Sequence, residues 1–228
     1  MGSEMCIRDS YRGEIVYSNE KWELLWELRE KALEIMKLFT GYYCIAYGSI
    51  TRGDVNKKSD IDIFVETESH ILEIILKDFK ILERKIVQAT PWQAIKGTII
   101  LEDNIEISFP MCEIKKKEEE FYHFGGALTY KEMKEKKRVC GVNKKLLLII
   151  PTESGHIESS IIGKESETAK LLNLSINTVQ ERIKVLSRRD RVGRTGVYLQ
   201  RVLAPEENFG EVLKKIIDKD VNVRRRFL

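Results

Sequence analysis

Gly48-Ser49-Ile50-Thr51-Arg52-Gly53-Asp54, followed four residues later by Ser59-Asp60-Ile61-Asp62-Ile63-Phe64-Val65, is the stretch that decides the fold. An apolar run, 42–47, precedes it and reads as a strand. Gly48 and Ser49 then form a turn where backbone N–H groups and a hydroxyl can meet a phosphate. Gly48 lets the backbone approach closely because it has no Cβ. The stretch 60–66 alternates acids with aliphatics, so it reads as a second strand. Residues i and i+2 of a strand share a face, which puts Asp60 and Asp62 side by side. Two such carboxylates repel each other unless a cation sits between them. Hard divalent ions take oxygen ligands of this kind together with substrate phosphates. The same residues would also suit an acidic hairpin with a polar loop.

Working outward, the spacing predicts a helix over 19–39, capped by Ser18 or Asn19, with Trp22, Leu25, Trp26, Leu28, Leu33 and Met36 at roughly helical intervals. A further helix is expected over 71–79. Strands are expected over 83–89, 98–101 and 105–109, the last two joined by a turn at Glu102-Asp103-Asn104. Residues 113–145 are dense in Lys and Glu and read as a helical or irregular connector.

The Gly-Ser pair, a spacer of ten residues and an Asp-x-Asp flanked by aliphatics resemble the nucleotidyltransferase signature of the DNA polymerase β superfamily. The longer run is similar to the minimal nucleotidyltransferases and the archaeal CCA-adding enzymes. The resemblance implies an α+β chain: a small mixed sheet with flanking helices, and a third carboxylate on a later strand. Glu106, in Asn104-Ile105-Glu106-Ile107, fits that place, although many members carry Asp there. By the same resemblance, Asp60, Asp62 and Glu106 would be catalytic and hold Mg²⁺ (two ions; Mn²⁺ as a substitute). Gly48, Ser49, Arg52 and Ser59 would bind a nucleoside triphosphate. Arg52 has two roles open: pairing with phosphate, or anchoring the loop through Asp54 or Asp60.

A second module follows. Residues 165–172 and the segment from Ser175 onward read as a helix-turn-helix, with Asn173 at the tight turn and Val179, Ile183 and Leu186 as an apolar stripe. Its polar face offers Asn177, Thr178, Gln180, Arg182 and Lys184, followed by Arg188, Arg189 and Arg194. Recognition helices present side chains of these kinds to base edges and phosphates. With a returning strand expected over 197–202, the segment resembles a winged helix-turn-helix, mainly helical, and implies a DNA or RNA partner. Arg224-Arg225-Arg226 reads as a loose basic tail adding phosphate affinity.

The expected organisation is therefore a nucleotidyltransferase domain (11–112), the connector (113–145), the winged helix (146–204) and a C-terminal helix with a basic tail (205–228). Charge supports two modules. Residues 141–228 carry 17 Lys and Arg against 11 Asp and Glu, and the remainder 22 against 25. A charged fraction of 33% excludes a membrane-embedded chain and suits a cytoplasmic one. Gly2 to Asp9 resembles the translation of a sequencing-library adapter, so residues 1–10 are read as an artefact that displaces the natural start. Cys44, Cys112 and Cys140 then remain, too far apart for a zinc site or a disulfide framework.

Three functions fit these readings. One is a nucleotidyltransferase that moves NMP from an NTP to an acceptor hydroxyl on nucleic acid or protein. Another is a DNA-binding regulator whose nucleotidyltransferase domain senses nucleotide. The third is an antitoxin-type minimal nucleotidyltransferase paired with a small helical toxin. The oligomeric state is not encoded in any of these motifs.

Overall fold

The computed structural model describes residues 12–193 and 196–227. The adapter-like stretch 1–10 and Arg194 lie outside them. The described chain builds two sheets. Strand β1 (Arg12–Val16) is followed by α1 (Asn19–Leu38), β2 (Tyr43–Tyr47), a single-turn helix α2 (Ser49–Arg52), β3 (Ile61–Glu66) and α3 (Ser69–Ile75). Then come β4 (Ile81–Gln88), β5 (Lys96–Leu101), β6 (Ile105–Pro110), α4 (Lys116–Phe124), β7 (Ala127–Thr129) and α5 (Tyr130–Lys134). The rest is β8 (Gly141–Val142), β9 (Leu147–Pro151), β10 (Gly155–Ser160), α6 (Glu165–Leu172), α7 (Ile176–Val192), β11 (Leu199–Val202), α8 (Phe209–Lys219) and α9 (Val221–Arg224).

The larger sheet has the order β11-β4-β5-β6-β3-β2-β7 and the smaller β1-β10-β9-β8. In the larger sheet β3 and β6 run parallel, and every other pair is antiparallel. Period-two alternation assigns its faces. Ile61, Ile63 and Val65 of β3 and Ile105, Ile107 and Phe109 of β6 point into one core with Leu25, Leu28, Ala32 and Met36 of α1. Asp62, Phe64, Glu106 and Ser108 belong to the opposite face. There Ile45, Phe64 and Tyr122 form a smaller core, which brings α4 over that side.

Two parts of the chain lie elsewhere than its linear reading predicts. Residues 113–145 are no bare connector: β7 pairs with β2, and Tyr122 and Phe124 of α4 are buried. Nor do residues 197–202 return along a wing. Strand β11 instead pairs antiparallel with β4, at the edge of the larger sheet. The C-terminal helices follow it there, with Phe209 stacked edge-on against Phe109 at 4.9 Å between ring centres. Conversely, β1 leaves the first module and pairs with β10 of the second. The chain ends therefore cross over, and each sheet is completed by the far end of the sequence. The reason is edge burial: β4 and β10 would otherwise expose unpaired N–H and C=O groups.

The tail is also ordered. Arg226 donates to Glu118 at 3.0 Å and to the Glu113 carbonyl at 2.8 Å, while Arg224 donates to the Asp218 carbonyl at 2.7 Å. Arg226 of the tail thus pairs with Glu118 of α4, which sequence order does not reveal. Among the described residues no helix is long and apolar enough to cross a membrane.

Candidate active site

Strand β3 carries Asp62 directly beside Glu106 of β6, because the two strands are parallel and in register there. Asp60 lies one residue before β3, on the same side by the same alternation. Strand β2 runs on the other side of β3, with Tyr47 opposite Asp62. At its end Gly48 adopts φ 91° and ψ −147°, a conformation closed to residues with a Cβ. A Cβ at Gly48 would also meet Asp62 Oδ2 at 3.6 Å. The backbone conformation is the structural reason for a glycine, and the 3.6 Å contact shows that the turn lies in packing distance of the Asp62 carboxylate.

The stretch 48–59, read as a polar loop, contains the helical turn α2. Several bonds lock it. Thr51 Oγ1 donates to the carbonyls of Gly48 and Gly126, each at 2.8 Å, and the Gly48 N–H donates to Gly126 at 3.0 Å. The Gly48 amide is thus used within the protein. Ser49 Oγ donates to Ser59 Oγ at 3.3 Å, and Ser59 Oγ accepts the Asn56 N–H at 3.0 Å. The two serines close the ten-residue spacer at its ends. Arg52 is buried, with Nε on Asp54 Oδ1 at 2.9 Å and Nη2 on Asp54 Oδ2 at 3.0 Å, and it also donates to the Gly125 carbonyl. Of its two open roles the geometry selects the anchor, and its phosphate-binding assignment is corrected accordingly.

Arg29 escaped the sequence reading. It is 2% exposed on α1, where it donates to the carbonyls of Ile50 (2.8 Å) and Thr51 (3.2 Å). It thereby ties α2 to the core helix. A signal was available: Arg29 falls between Leu25, Leu28 and Ala32, on a face that packs inward.

Electrostatically the site is acidic. Burial, then the charges of Asp60 and Glu106, push the Asp62 carboxyl up to about 7, against a smaller opposing pull from Lys144. The Lys144 Nζ sits 3.8 Å from Asp60 Oδ2. Among the described residues no three His, Cys, Asp or Glu side chains already close on a point as a metal site. The donor set nevertheless suits a hard divalent cation. It consists of carboxylate oxygens, and the Asp62 carboxyl, raised first by burial and then by the charges of Asp60 and Glu106, is one whose ionised form such an ion would favour.

Residues 28–139 match the family model described as "Nucleotidyltransferase domain", just under half of the chain. That segment is a nucleotidyltransferase domain. The match contains the Gly48-Ser49 turn, Asp60, Asp62 and Glu106, and it runs on through α4, β7 and α5. Comparison with curated proteins finds no match. A chain of a solved structure described as "structure of GLD-2/RNP-8 complex" is similar at 18% identity, with a TM-score of 0.27. The likeness covers 42% of this chain and 42% of that one, so this chain spans less than half the length of that relative.

The matched segment also meets the helix pair α6 and α7. Asn173 takes the left-handed turn at φ 54°, and Ser175 caps α7. Val179 and Leu186 pack with Ala169 and with Phe124 of α4. Two residues assigned to the nucleic-acid face are drawn wholly or partly inward. Thr178 is buried and bonded to Glu120 of α4. Arg182 lies over the Phe121 ring at 4.7 Å and the Phe124 ring at 5.8 Å, where burial lowers its pKa to about 10. Asn177, Gln180, Lys184, Arg188 and Arg189 are exposed. The first turns of α7 are thus partly claimed by the nucleotidyltransferase domain, and the later turns stay open.

Proposed function

We propose that this protein is a metal-dependent nucleotidyltransferase that moves NMP from an NTP to an acceptor hydroxyl. The observation carrying this reading is the register of Asp62 with Glu106, beside a glycine turn whose φ of 91° disfavours any residue with a Cβ. Asp60, Asp62 and Glu106 would hold Mg²⁺ or Mn²⁺, which supplies charge stabilisation for the attacking and leaving oxygens. Ser49 and the Gly48 turn border the triphosphate. Ser59 holds Ser49 in place, and Arg52 and Arg29 act as positioning residues that keep the turn against β3. Glu106 helps to activate the acceptor hydroxyl. Its oxygen bonds to the α-phosphorus, the bond from that phosphorus to the β-phosphate oxygen breaks, and pyrophosphate leaves.

Nucleic-acid contact is assigned to the exposed part of α7: Asn177, Gln180, Lys184, Arg188 and Arg189. Cations spaced along one open helix end suit phosphates more than base edges, so this contact would be sensitive to salt and tolerant of sequence. The test is an incorporation assay with each α-labelled NTP, Mg²⁺, and RNA, DNA or cell protein as acceptor. Label transferred by wild type and lost in the Asp60→Ala, Asp62→Ala double variant is the expected result. Nucleotide binding with no transfer to any acceptor would favour the nucleotide-sensing regulator instead.

A further inference from the structure

Of the cations in the active-site loop, the buried Arg52 is spent on Asp54 and Gly125, and Lys57 and Lys58 are exposed. A site with three acidic side chains that is to receive a polyphosphate needs positive charge beyond its metals. Lys144 stands in that position. Its ammonium is 3.8 Å from Asp60 Oδ2, and its side chain is 79% exposed. It comes from the turn between β8 and β9, beyond the end of the family match at residue 139.

That turn is rigid and fixed relative to the site. Asn143 Oδ1 accepts the N–H groups of Lys145 (2.9 Å) and Leu147 (3.1 Å), and the Asn143 N–H donates to the Leu147 carbonyl at 2.9 Å. Leu146, at φ 58°, drives its side chain into the second core. At the base of the turn, a Cβ on Gly141 would lie 2.5 Å from the Gly126 nitrogen and 2.6 Å from the Gly125 carbonyl carbon. Strand β8 therefore lies directly on the Gly125-Gly126 backbone. The carbonyls of those glycines hold Arg52 and the Gly48 amide. A continuous backbone stack, Gly48 to Gly126 to Gly141, thus sets where Lys144 stands. A pair between two exposed side chains at this distance adds little to stability. Lys144 can therefore change partners without loss to the fold, and its four-carbon stem gives it reach.

We propose that Lys144 is a substrate-phosphate ligand, delivered by the second module, which leaves Asp60 for the polyphosphate of the incoming nucleoside triphosphate. The active site is then composite, and the nucleotidyltransferase domain alone lacks one of its phosphate-binding groups. The proposal rests on the nucleotidyltransferase reading above.

The test uses the full chain with Mg²⁺ and ATP, following equilibrium binding of a fluorescent ATP analogue as well as transfer. Lys144→Ala should weaken nucleotide binding and raise KM about tenfold, the loss of one charge-assisted contact. Lys144→Arg should recover much of it, and Lys145→Ala, an exposed neighbour, should stay within about twofold. Thermal melting of Lys144→Ala should match wild type. If wild type binds ATP and Lys144→Ala binds equally well, or if Lys145→Ala matches the loss in Lys144→Ala, the proposal fails and the nucleotidyltransferase reading stands. If wild type neither binds ATP with Mg²⁺ nor transfers label, both fail.

Discussion

The acidic end of the larger sheet and the polar face of α7 were both legible as functional surfaces, yet the fold treats them differently. On the sheet, Asp62, Glu106 and the Gly48 turn come together, because strand alternation and register leave an acid on β3 no other face. On the helix, residues of one apparent polar face divide. Thr178 and Arg182 are absorbed by α4, while Lys184, Arg188 and Arg189 remain open. A two-residue period offers two faces, one of which the core must take. A helix has a continuous circumference, and its sequence does not say how much of it a neighbour will cover.

Ways to break this comparison can be ranked by expected effect. At the sheet, Asp62→Ala should reduce transfer by about a thousandfold or more without unfolding the protein, as expected for loss of a group that holds the metal. Residual transfer within tenfold of wild type, read with α-labelled NTP, would move the chemistry away from this strand. Where the two regions meet, Gly141→Ala should cost about 1–3 kcal/mol, since its Cβ would collide with backbone rather than a movable side chain. Denaturant unfolding measures it. An unchanged midpoint would mean that β8 is not seated against the Gly125-Gly126 turn.

A pH series sharpens the electrostatics of the sheet end. The Asp62 carboxyl titrates near 7 in the fold against an ordinary 3.8. The folded state therefore holds the proton more tightly than the unfolded chain, and wild type loses stability as pH rises from about 4 to about 7. In chelator, Asp62→Asn should exceed wild-type stability at pH 8 by up to about 4 kcal/mol, with the gain vanishing toward pH 4. Millimolar Mg²⁺ should shrink the gain at pH 8. Equal stability of the two proteins at pH 8 in chelator would show that the carboxylates are not in conflict.

The helix gives the smallest effects. Arg182→Ala should lower stability by about 1 kcal/mol through lost cation–π contact and leave nucleic-acid affinity alone. Arg188→Ala and Arg189→Ala should do the reverse, each reducing the salt dependence of DNA or RNA binding by about one unit of slope. The division of the helix face collapses if Arg182→Ala weakens binding at unchanged stability.

How far the sequence reaches depends on the range of the interaction involved. The strands around the site were readable because alternation is local: 60–66 and 105–109 name their own buried residues. Capping was readable for the same reason, as Ser18 shows. The turn α2 was missed, because its support comes from Arg29, Thr51 and Gly126, none of which is a sequence neighbour of all the others. The wing was misplaced because β11 is specified by the open edge of β4, more than a hundred residues earlier.

By itself the sequence determined the nucleotidyltransferase signature, the strand faces that present Asp62 and Glu106, and the two successive helices α6 and α7. These follow from patterns of two to four residues, the reach of backbone geometry and short-range sterics. Only the tertiary structure decided that the chain ends cross to complete each other's sheets, and that Arg52 anchors rather than binds. It also decided that Thr178 and Arg182 of the polar face of α7 are covered and that Lys144 stands beside Asp60. Those outcomes depend on which edges, faces and charges meet across long stretches of chain. That matching minimises exposed backbone and unpaired charge for the whole molecule, and no single segment carries it.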